Sequence, residues 1–468
     1  MSRLRRLLGP VALASVVAGS LAVPGAVASA APAAPAVACD TTSTPYSYVV
    51  LYQPGLPQFF VNAELKAKCG TKVAYYPEIG VAVASSRNAD FAQRIGVDRA
   101  YSGGKDVASQ AAKVSSRSAV RQVEATQSVA EDEDLSAQQW DMRAIHAPEA
   151  NKVNPGSRSV TVGVLDSGID ATHPALAKAV DARASVGCVT GAPDRTPASW
   201  APTNSDHGTH VAGTIAGKDT ARGFTGIAPG VRLASVKVVD DGGFIFPEAA
   251  VCGFVWAAQH GFRVTNNSYF IDPGMFYCSR EPGDSAAYEA VRRAVVYSTH
   301  RGVLNVAAAG NSGFDVTKQT TDPIRPHPVD SSCGILPKAI DGVVTVSSVG
   351  YAGTKSSFSN FGAVSVTAPG GDYTQVPPAG QGQGCTLSTT VFGGRYGTKC
   401  GTSMASPHVA GVAALLASRH PFASPRLLTA LLEGQADPVA CDVTECSGPA
   451  RDNSYYGHGL VNALDAVR

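Results

Sequence analysis

Apolar runs alternate with helical patterns along most of the chain. From Gln139 onward, short runs rich in β-branched and other apolar residues have the character of strands buried on both faces of a sheet. These runs lie at 160–165, 231–239, 264–267, 303–308 and 343–349. Helical spacing of apolar residues occupies 248–260, 287–301 and 403–420, and Ser424-Pro425 predicts the start of a last helix. Strands that alternate with helices predict an α/β fold with a mostly parallel central sheet and helices on both faces.

Residues 1–30 have the pattern of an export signal. Three arginines among the first six residues precede an apolar run that ends at Val23, and Ala28-Ser29-Ala30 has the small-x-small form of a signal-peptidase site. A membrane anchor is the alternative, but an anchor needs about 20 unbroken apolar residues, and Pro10 and Gly19 interrupt this run. We therefore expect a secreted, extracellular protein.

The stretch between the export signal and Gln139 divides into two parts. Residues 41–100 predict a small separate α+β unit. Its strand-like runs are 46–52, 73–76 and 80–84. Residues 101–138 contain mainly Ser, Gln, Ala, Glu and Asp and few large apolar side chains, which is typical of an exposed linker or a weak helix. Because proteases cut such segments, we expect the maturation site there.

The charge balance gives no sign of a polyanionic partner. Lys plus Arg number 38 against 37 for Asp plus Glu, a formal net charge of +1. Binding to nucleic acid or to an anionic membrane draws on a large basic excess. We therefore expect no nucleic-acid partner and no membrane partner.

Ten cysteines in an exported chain predict disulfide bonds. Cys441 with Cys446 and Cys385 with Cys400 are the expected local pairs, because only short segments separate their members. The eight cysteines beyond residue 150 allow 105 connectivities, so the remaining pairing stays open, with Cys252–Cys278 and Cys188–Cys333 as our assignment. The sequence has no Cys-x-x-Cys pattern with partnering histidines, so it does not predict a zinc site.

The segment Val164-Leu165-Asp166-Ser167-Gly168 places a carboxylate after a predicted buried strand. Ligands and catalytic groups collect at the carboxyl ends of parallel strands, which makes Asp166 a candidate site residue. Taken alone, an Asp in this place is more often a turn residue or a helix cap.

The segment Asp206-His207-Gly208-Thr209-His210 places a histidine at the opening of a helix rich in Gly and Ala. Two histidines three residues apart can also bind a metal from one helix face. A nearby third ligand and the glutamate of the usual metalloprotease helix are both missing, which argues against a metal site. We expect His210 to be a packed, hydrogen-bonded residue.

The segment Gly401-Thr402-Ser403-Met404-Ala405 places a serine at a predicted helix start. Unpaired N–H groups and the positive end of the helix dipole can stabilise a developing negative charge there. Considered alone, Ser403 is also explained as a helix N-cap.

Together the three motifs resemble those of the subtilisin-like serine proteases, the subtilases, which have the chain order Asp, His, Ser. Ala309-Gly310-Asn311-Ser312-Gly313 resembles the oxyanion motif of that family, and the resemblance extends over residues 139–467. It implies a subtilisin-like α/β fold for residues 139–468, with Asp166, His207 and Ser403 as the catalytic triad and Asn311 as an oxyanion donor. Residues 41–100 resemble the family propeptide more loosely.

The resemblance also implies what the protein binds. Protein or peptide substrates and its own propeptide, acting as an inhibitor, are the expected partners, and we expect a monomer. No cofactor is required for the implied reaction. Many members of the family bind structural calcium, but the sequence offers no ligand set that we can match, so calcium stays unassigned.

Two other hypotheses remain beside a secreted protease. One is a catalytically inactive relative that serves as a binding protein, since a fold does not guarantee a function; all four catalytic positions carry the expected residue types, which argues against it. The other is a membrane-tethered processing protease, for which we would expect an apolar span near the C-terminus, and the last residues have none.

One segment departs from the family. Ser268-Tyr269-Phe270-Ile271 stands where relatives commonly have Ser-Leu-Gly-Gly beside the substrate. Ser268, Tyr269 and Phe270 are therefore candidate substrate-binding residues, and the bulk of Phe270 and Ile271 predicts a narrower cleft than usual. The alternative is that the aromatic rings turn into the core.

Overall fold

Strands and helices alternate along the chain in the computed structural model, which describes residues 38–110, 127–128, 134–325, 327–391 and 395–468. The strands are β1 Tyr46–Leu51, β2 Thr71–Tyr76, β3 Val81–Ser86, β4 Ala100–Tyr101, β5 Gln127–Ser128, β6 Thr161–Asp166, β7 Val186–Gly187, β8 Lys218–Asp219, β9 Phe224–Thr225, β10 Arg232–Lys237, β11 Val264–Asn267, β12 Tyr277–Cys278, β13 Leu304–Ala308, β14 Cys333–Gly334, β15 Val343–Val349, β16 Val366–Pro369, β17 Thr386–Thr389 and β18 Tyr396–Lys399. The α-helices are α1 Gln58–Ala67, α2 Phe91–Ile95, α3 Gly103–Gln110, α4 Trp140–Ala144, α5 Ala147–Val153, α6 Pro197–Trp200, α7 His207–Ala216, α8 Pro247–Gln259, α9 Asp284–His300, α10 Thr402–Arg419 and α11 Pro425–Gly434.

A seven-stranded sheet forms the centre of the fold, with the strand order β16-β15-β13-β11-β6-β10-β7. Every pairing in this sheet is parallel. All five strands predicted from residue 160 onward belong to it. Strands β7 and β16 were not predicted: β7 has only two residues, and β16 contains a threonine and ends at a proline.

Helices cover both faces of the sheet, as the sequence predicts. Within β6, Val162 and Val164 belong to the apolar cluster under α7, α10 and α11, whereas Leu165 belongs to the cluster under α8 and α9. The side chains of a strand alternate between faces, so one buried strand serves both cores. Helix α10 is deeply enclosed, since every residue from 402 to 417 is buried.

The N-terminal unit is a separate antiparallel sheet with the order β2-β3-β1-β4. One face of this sheet packs on α8 and α9. Val49, Val81 and Val83 from that face belong to an apolar cluster with residues of both helices. The predicted strand-like runs at 46–52, 73–76 and 80–84 correspond to β1, β2 and β3.

Two of the sequence predictions fall outside the described residues. One is the export signal at residues 1–30, and the other is most of the linker predicted at 101–138. The described parts of that linker are α3, the two residues of β5 and the segment from Asp134, which includes a 3₁₀ turn at Ser136–Gln138. In the part of the chain that the structure describes, no helix is long and apolar enough to cross a membrane.

All ten cysteines form disulfide bonds, and the two local pairs are confirmed. The other two assignments are wrong, because Cys252 bonds to Cys188 and Cys278 bonds to Cys333. Cys278 and Cys333 lie directly opposite each other in the β12–β14 pair, and Cys188 follows the edge strand β7 on the side that α8 covers. Proximity in sequence misled the assignment, since the sheet brings distant residues together. Cys39 bonds to Cys69 within the N-terminal unit.

We expect peptide mapping of the purified protein under non-reducing conditions to recover linked peptides for Cys188–Cys252 and Cys278–Cys333. A linked peptide that joins Cys252 to Cys278 would contradict the pairing that the fold imposes.

Candidate active site

A cleft of about 410 Å³ opens at the carboxyl edge of the central sheet. Asp166 at the end of β6, Lys237 at the end of β10 and Ala308 at the end of β13 line it. Parallel α/β sheets place their ligand sites at this edge. The structure brings every predicted site residue to this cleft, namely Asp166, His207, Ser268, Tyr269, Phe270, Asn311 and Ser403.

Asp166 and His207 form a close pair. The Nδ1 atom of His207 lies 2.8 Å from Oδ1 and 2.9 Å from Oδ2 of Asp166, and the carboxylate also accepts a hydrogen bond of 2.7 Å from the N–H of Ser167. The Asp166 residue is only 2% exposed. Because a carboxylate accepts hydrogen bonds, the Nδ1 atom carries the proton, and in the neutral ring Nε2 is the basic nitrogen.

A glycine allows the first turn of α7 to approach this pair. A Cβ atom on Gly208 would lie 2.5 Å from the carbonyl oxygen of Gly168 and 3.1 Å from the Cβ of Asp166, closer than packed atoms come. The N–H of Gly208 donates instead to the hydroxyl of Ser167 at 3.0 Å. The helix therefore begins directly against the end of β6, with His207 beside Asp166.

His210 faces away from the pair. Its Nε2 atom lies 3.1 Å from the carbonyl oxygen of Gly397, and the residue is fully buried. Burial lowers the pKa of His210 well below its ordinary value, so the ring is neutral at physiological pH. Its surroundings are those of the packed histidine that the sequence predicts.

Ser403 is bound reciprocally to Ser268. The hydroxyl of Ser268 donates to the carbonyl oxygen of Ser403 at 2.8 Å, and the hydroxyl of Ser403 donates to the carbonyl oxygen of Ser268 at 3.2 Å. The first of these bonds has a cause in the sequence. Pro407 has no N–H to give to the carbonyl four residues earlier, so the helix leaves the oxygen of Ser403 for another donor.

A second chain of hydrogen bonds joins the same helix to β11. The hydroxyl of Ser406 donates to the side-chain oxygen of Asn266 at 2.7 Å, and the amide of Asn266 donates to the hydroxyl of Ser268 at 2.9 Å. The sequence marked Ser268 only as a candidate contact to substrate and did not mark Asn266 at all. The sequence signal that could have predicted an outside donor to the Ser403 carbonyl, the role that Ser268 has, is the proline four residues later.

Asn311 is oriented by the residue before Ser403. Its side-chain oxygen accepts hydrogen bonds of 2.8 Å from both the backbone N–H and the hydroxyl of Thr402. The amide NH₂ is therefore the end of the side chain that remains for the cleft. The N–H of Ser403 lies in the first turn of α10, where a helix leaves N–H groups without intrahelical partners. The two groups can act as donors to one negatively charged oxygen.

The segment after β11 contributes two aromatic side chains to the lining of the cleft, Tyr269 and Phe270. Phe270 lines the cleft and packs against the apolar cluster of Met275, Phe276 and Ile335. Tyr269 donates its hydroxyl to the side chain of Asn267 at 3.1 Å, and burial raises its pKa well above the ordinary value. The expectation that Ile271 also narrows the cleft is wrong, because its side chain is fully buried in the core under α8 and α9.

The structure offers one trio of metal-ligand types among the described residues, Cys278, Asp284 and His327. The trio does not fit a metal ion. Cys278 is bonded to Cys333 and has no thiolate to offer, and the carboxylate of Asp284 accepts two hydrogen bonds of 2.8 and 2.7 Å from Arg325. No calcium ligand set is assigned.

Sequence comparison identifies the relatives of this chain. A profile described as the subtilase family matches residues 157–459. Subtilisin DY from Bacillus licheniformis is 32% identical over 311 residues, which cover 66% of this chain and 91% of that protein. Fervidolysin from Fervidobacterium pennivorans is 31% identical over 350 residues, which cover 72% of this chain and 44% of that protein.

Solved structures are similar over most of the chain. An epidermin leader peptide processing serine protease from Staphylococcus aureus has a TM-score of 0.66 at 22% identity, with 91% of this chain and 98% of that chain covered. The fervidolysin structure has a TM-score of 0.63 at 24% identity and covers 91% of this chain. These similarities confirm the predicted subtilisin-like α/β fold.

The geometry of Asn311 leads to a prediction. Asn311→Asp keeps an oxygen for Thr402 but removes the NH₂ donor, so we expect kcat for peptide hydrolysis to fall by about 10² to 10³, the range for one such donor in subtilisin. KM should change little, because the donor acts on charge that develops during the reaction.

The matched variant Asn311→Ala removes both functions of the side chain. It should lose a similar factor in kcat and also melt at a lower temperature, because Thr402 loses its acceptor. Steady-state kinetics and thermal melts test both variants; a kcat for Asn311→Asp within threefold of the wild-type value would contradict the donor role.

Proposed function

The chain belongs to the subtilase family and is a subtilisin-like serine endopeptidase, and we propose that Asp166, His207 and Ser403 are its catalytic triad. The observation that carries this proposal is the buried Asp166–His207 pair in one cleft with Ser403 and the oriented amide of Asn311. We further propose that the enzyme is secreted as an inactive precursor and acts as a monomer on proteins or peptides.

Each residue has a distinct role in the proposed reaction. His207 takes the proton of Ser403 through Nε2 as the hydroxyl attacks the scissile carbonyl, and it returns that proton to the leaving amine. Asp166 holds the ring in the required tautomer and stabilises the imidazolium. The NH₂ of Asn311 and the N–H of Ser403 bind the oxyanion of the tetrahedral intermediate. Water then hydrolyses the acyl-enzyme by the same route.

The hydroxyl of Ser403 has a second partner that fits this role. It donates to the carbonyl oxygen of Ser268 at 3.2 Å, longer than the usual range of about 2.5–3.0 Å between the two oxygens of such a bond. A weak bond of this kind is easily exchanged for one to His207. Catalytic hydrogen bonds of free enzymes commonly tighten only when substrate binds.

The N-terminal unit has the contacts expected of an inhibitory propeptide at residues 41–100. Besides the apolar contact with α8 and α9, the hydroxyl of Tyr76 donates to the carbonyl oxygen of Gly191 at 2.7 Å. Arg293 on α9 donates to the carbonyl oxygens of Tyr52 at 2.7 Å and Ile79 at 3.1 Å. Charged and apolar contacts thus hold the unit to the enzyme beside the cleft.

The chain leaves this unit at one end of the cleft. A Cβ atom on Gly103 would lie 2.5 Å from the ring of Phe246 and 3.3 Å from the carbonyl oxygen of Asp272, which lines the cleft. Toward the C-terminal end of the linker, Leu135 is fully buried, and its N–H donates to the carbonyl oxygen of Arg222 at 2.8 Å. We therefore propose that maturation cuts the linker between Gln110 and Gln127, within the predicted range of 101–138.

The triad proposal predicts the behaviour of Ser403→Ala. The variant should be secreted as a folded precursor that neither matures nor cleaves casein, because the nucleophile is lost while the core is unchanged.

The maturation proposal predicts the N-terminus of the active wild-type enzyme. N-terminal sequencing should give a first residue between 111 and 127. Hydrolysis of casein by the variant at the wild-type rate would reject the triad, and an active enzyme that still begins near Ala31 would reject propeptide removal.

The side chain of Phe270 is proposed to restrict the residue just before the scissile bond. Its ring lines the cleft in the segment where a glycine would let a substrate pass close to the enzyme backbone, and it packs against the cluster of Met275, Phe276 and Ile335. A ring held in this way cannot move aside without opening a cavity in the apolar cluster.

We expect Phe270→Gly to broaden the residues that are accepted just before the scissile bond, as profiled on a peptide library with correctly folded enzyme. Ile271→Val is the matched control. The side chain of Ile271 is next to Phe270 in sequence but lies in the core, so this substitution should leave the profile unchanged. An unchanged profile for Phe270→Gly would mean that Phe270 lies outside the recognition surface.

A further inference from the structure

A second histidine–aspartate pair lies behind the catalytic serine. The Nε2 atom of His408 is 3.1 Å from Oδ2 of Asp141, and both side chains are fully buried. The two residues are 267 positions apart in the chain. His408 lies on α10, five residues after Ser403, and Asp141 lies on α4, near the start of the segment that follows the linker.

Both nitrogens of the His408 ring face acceptors. Nδ1 lies 2.8 Å from the carbonyl oxygen of Met404, and a carbonyl oxygen only accepts, so Nδ1 carries a proton. Nε2 then shares one further proton with the carboxyl group of Asp141. The pair is therefore a buried unit of an imidazole and a carboxyl group in which each member depends on the other.

Asp141 has no second partner among the described residues to replace His408. Its Oδ1 atom is buried and makes no hydrogen bond there. An unpaired buried oxygen of this kind is costly, and removal of the one remaining partner is costlier still. A buried pair with this cost gives the core no apolar contact, which points to a role that packing alone does not supply.

The segment that carries Asp141 is anchored on both sides of the pair. The side chain of Gln139 exchanges two hydrogen bonds with the backbone of Thr225, at 2.8 and 3.0 Å. The indole N–H of Trp140 donates to the carbonyl oxygen of Gln383 at 2.9 Å. Asp141 is thus held at a fixed place, and through His408 it fixes Met404, the residue directly after Ser403.

We propose that Asp141 and His408 are positioning residues that hold the first turn of α10, and with it Ser403, in the reactive orientation. This inference rests on the proposed role of Ser403 as the nucleophile. The hydrogen bond to Met404, rather than a net charge, transmits the position. The proposal also requires that the mature enzyme keep Asp141 and its anchored neighbours.

The test measures kcat per reactive serine. The fraction of active enzyme is titrated with a fluorophosphonate probe, and kcat and KM are then measured on a peptide p-nitroanilide. A precursor that processes itself slowly is matured with a trace of wild-type enzyme. We expect Asp141→Ala to lower kcat per titrated site by about 10- to 100-fold with KM within about twofold, because small misplacement of a reacting group is costly.

The conservative variant supplies the rescue. Asp141→Asn can donate an amide N–H to Nε2 of a neutral His408 ring that keeps its bond to Met404, so its kcat per site should lie within about threefold of the wild-type value. If Asp141→Ala does not fold, Asp141→Ser takes its place. The serine side chain is shorter than that of aspartate, so its hydroxyl does not reach His408 and the hydrogen bond is still lost.

Asn151→Ala is the matched control from the same N-terminal segment. The amide of Asn151 donates to the carbonyl oxygen of Gly226 at 3.0 Å and not to α10, so its loss should lower the melting temperature and leave kcat per site unchanged. A purely structural role for Asp141 would give the same result as this control. An unchanged kcat per site in Asp141→Ala, or equal losses in the Ala and Asn variants, would overturn the inference. Failure of the triad proposal would look different, since no fluorophosphonate would then label Ser403.

Discussion

The placement of the first turn of α10 is the constraint on which the site depends. Ser403 has to stand at a helix start, close to the ends of β6 and β13, and the chain fixes it there with hydrogen bonds from three directions. Ser268 binds its carbonyl oxygen, Asn311 binds the backbone before it, and His408 binds the carbonyl after it. Because each bond is buried or partly buried, each is costly to leave unmade, and together they leave the turn little freedom.

Close approach of helices to the sheet makes these bonds possible. Gly208 brings the start of α7 against Asp166, and the Ala-rich α10, buried from residue 402 to 417, packs on one face of the sheet. Larger side chains would hold the helices farther from the strand ends and separate the groups of the proposed triad. The low content of charged residues, 16%, is consistent with this architecture, because two thick cores and a buried helix leave few positions for charges.

The segment around Asp141 links maturation to the active centre in the proposed scheme. It follows the linker, docks through Gln139 and Trp140, and reaches the serine helix through one buried pair. The N-terminal unit makes a different kind of contact. Its apolar sheet face packs on α8 and α9, and Arg293 donates to the carbonyl oxygens of Tyr52, just after β1, and Ile79, just before β3. Removal of that unit would expose its apolar contact surface but would leave the docked segment in place.

The sequence by itself determined the class of fold, five of the seven strands of the central sheet and the seven site residues predicted at the cleft, because hydrophobic periodicity and short ordered motifs are local properties of the chain. It did not determine which distant residues meet. The partners of Cys252 and Cys278, the core position of Ile271, and the pairing of Asp141 with His408 depend on how the sheet and helices pack. No local pattern encodes these contacts, since each joins elements that are far apart in sequence. For the same reason, the sequence shows that Pro407 leaves the carbonyl oxygen of Ser403 without a helical donor, but only the tertiary structure places Ser268 at that oxygen.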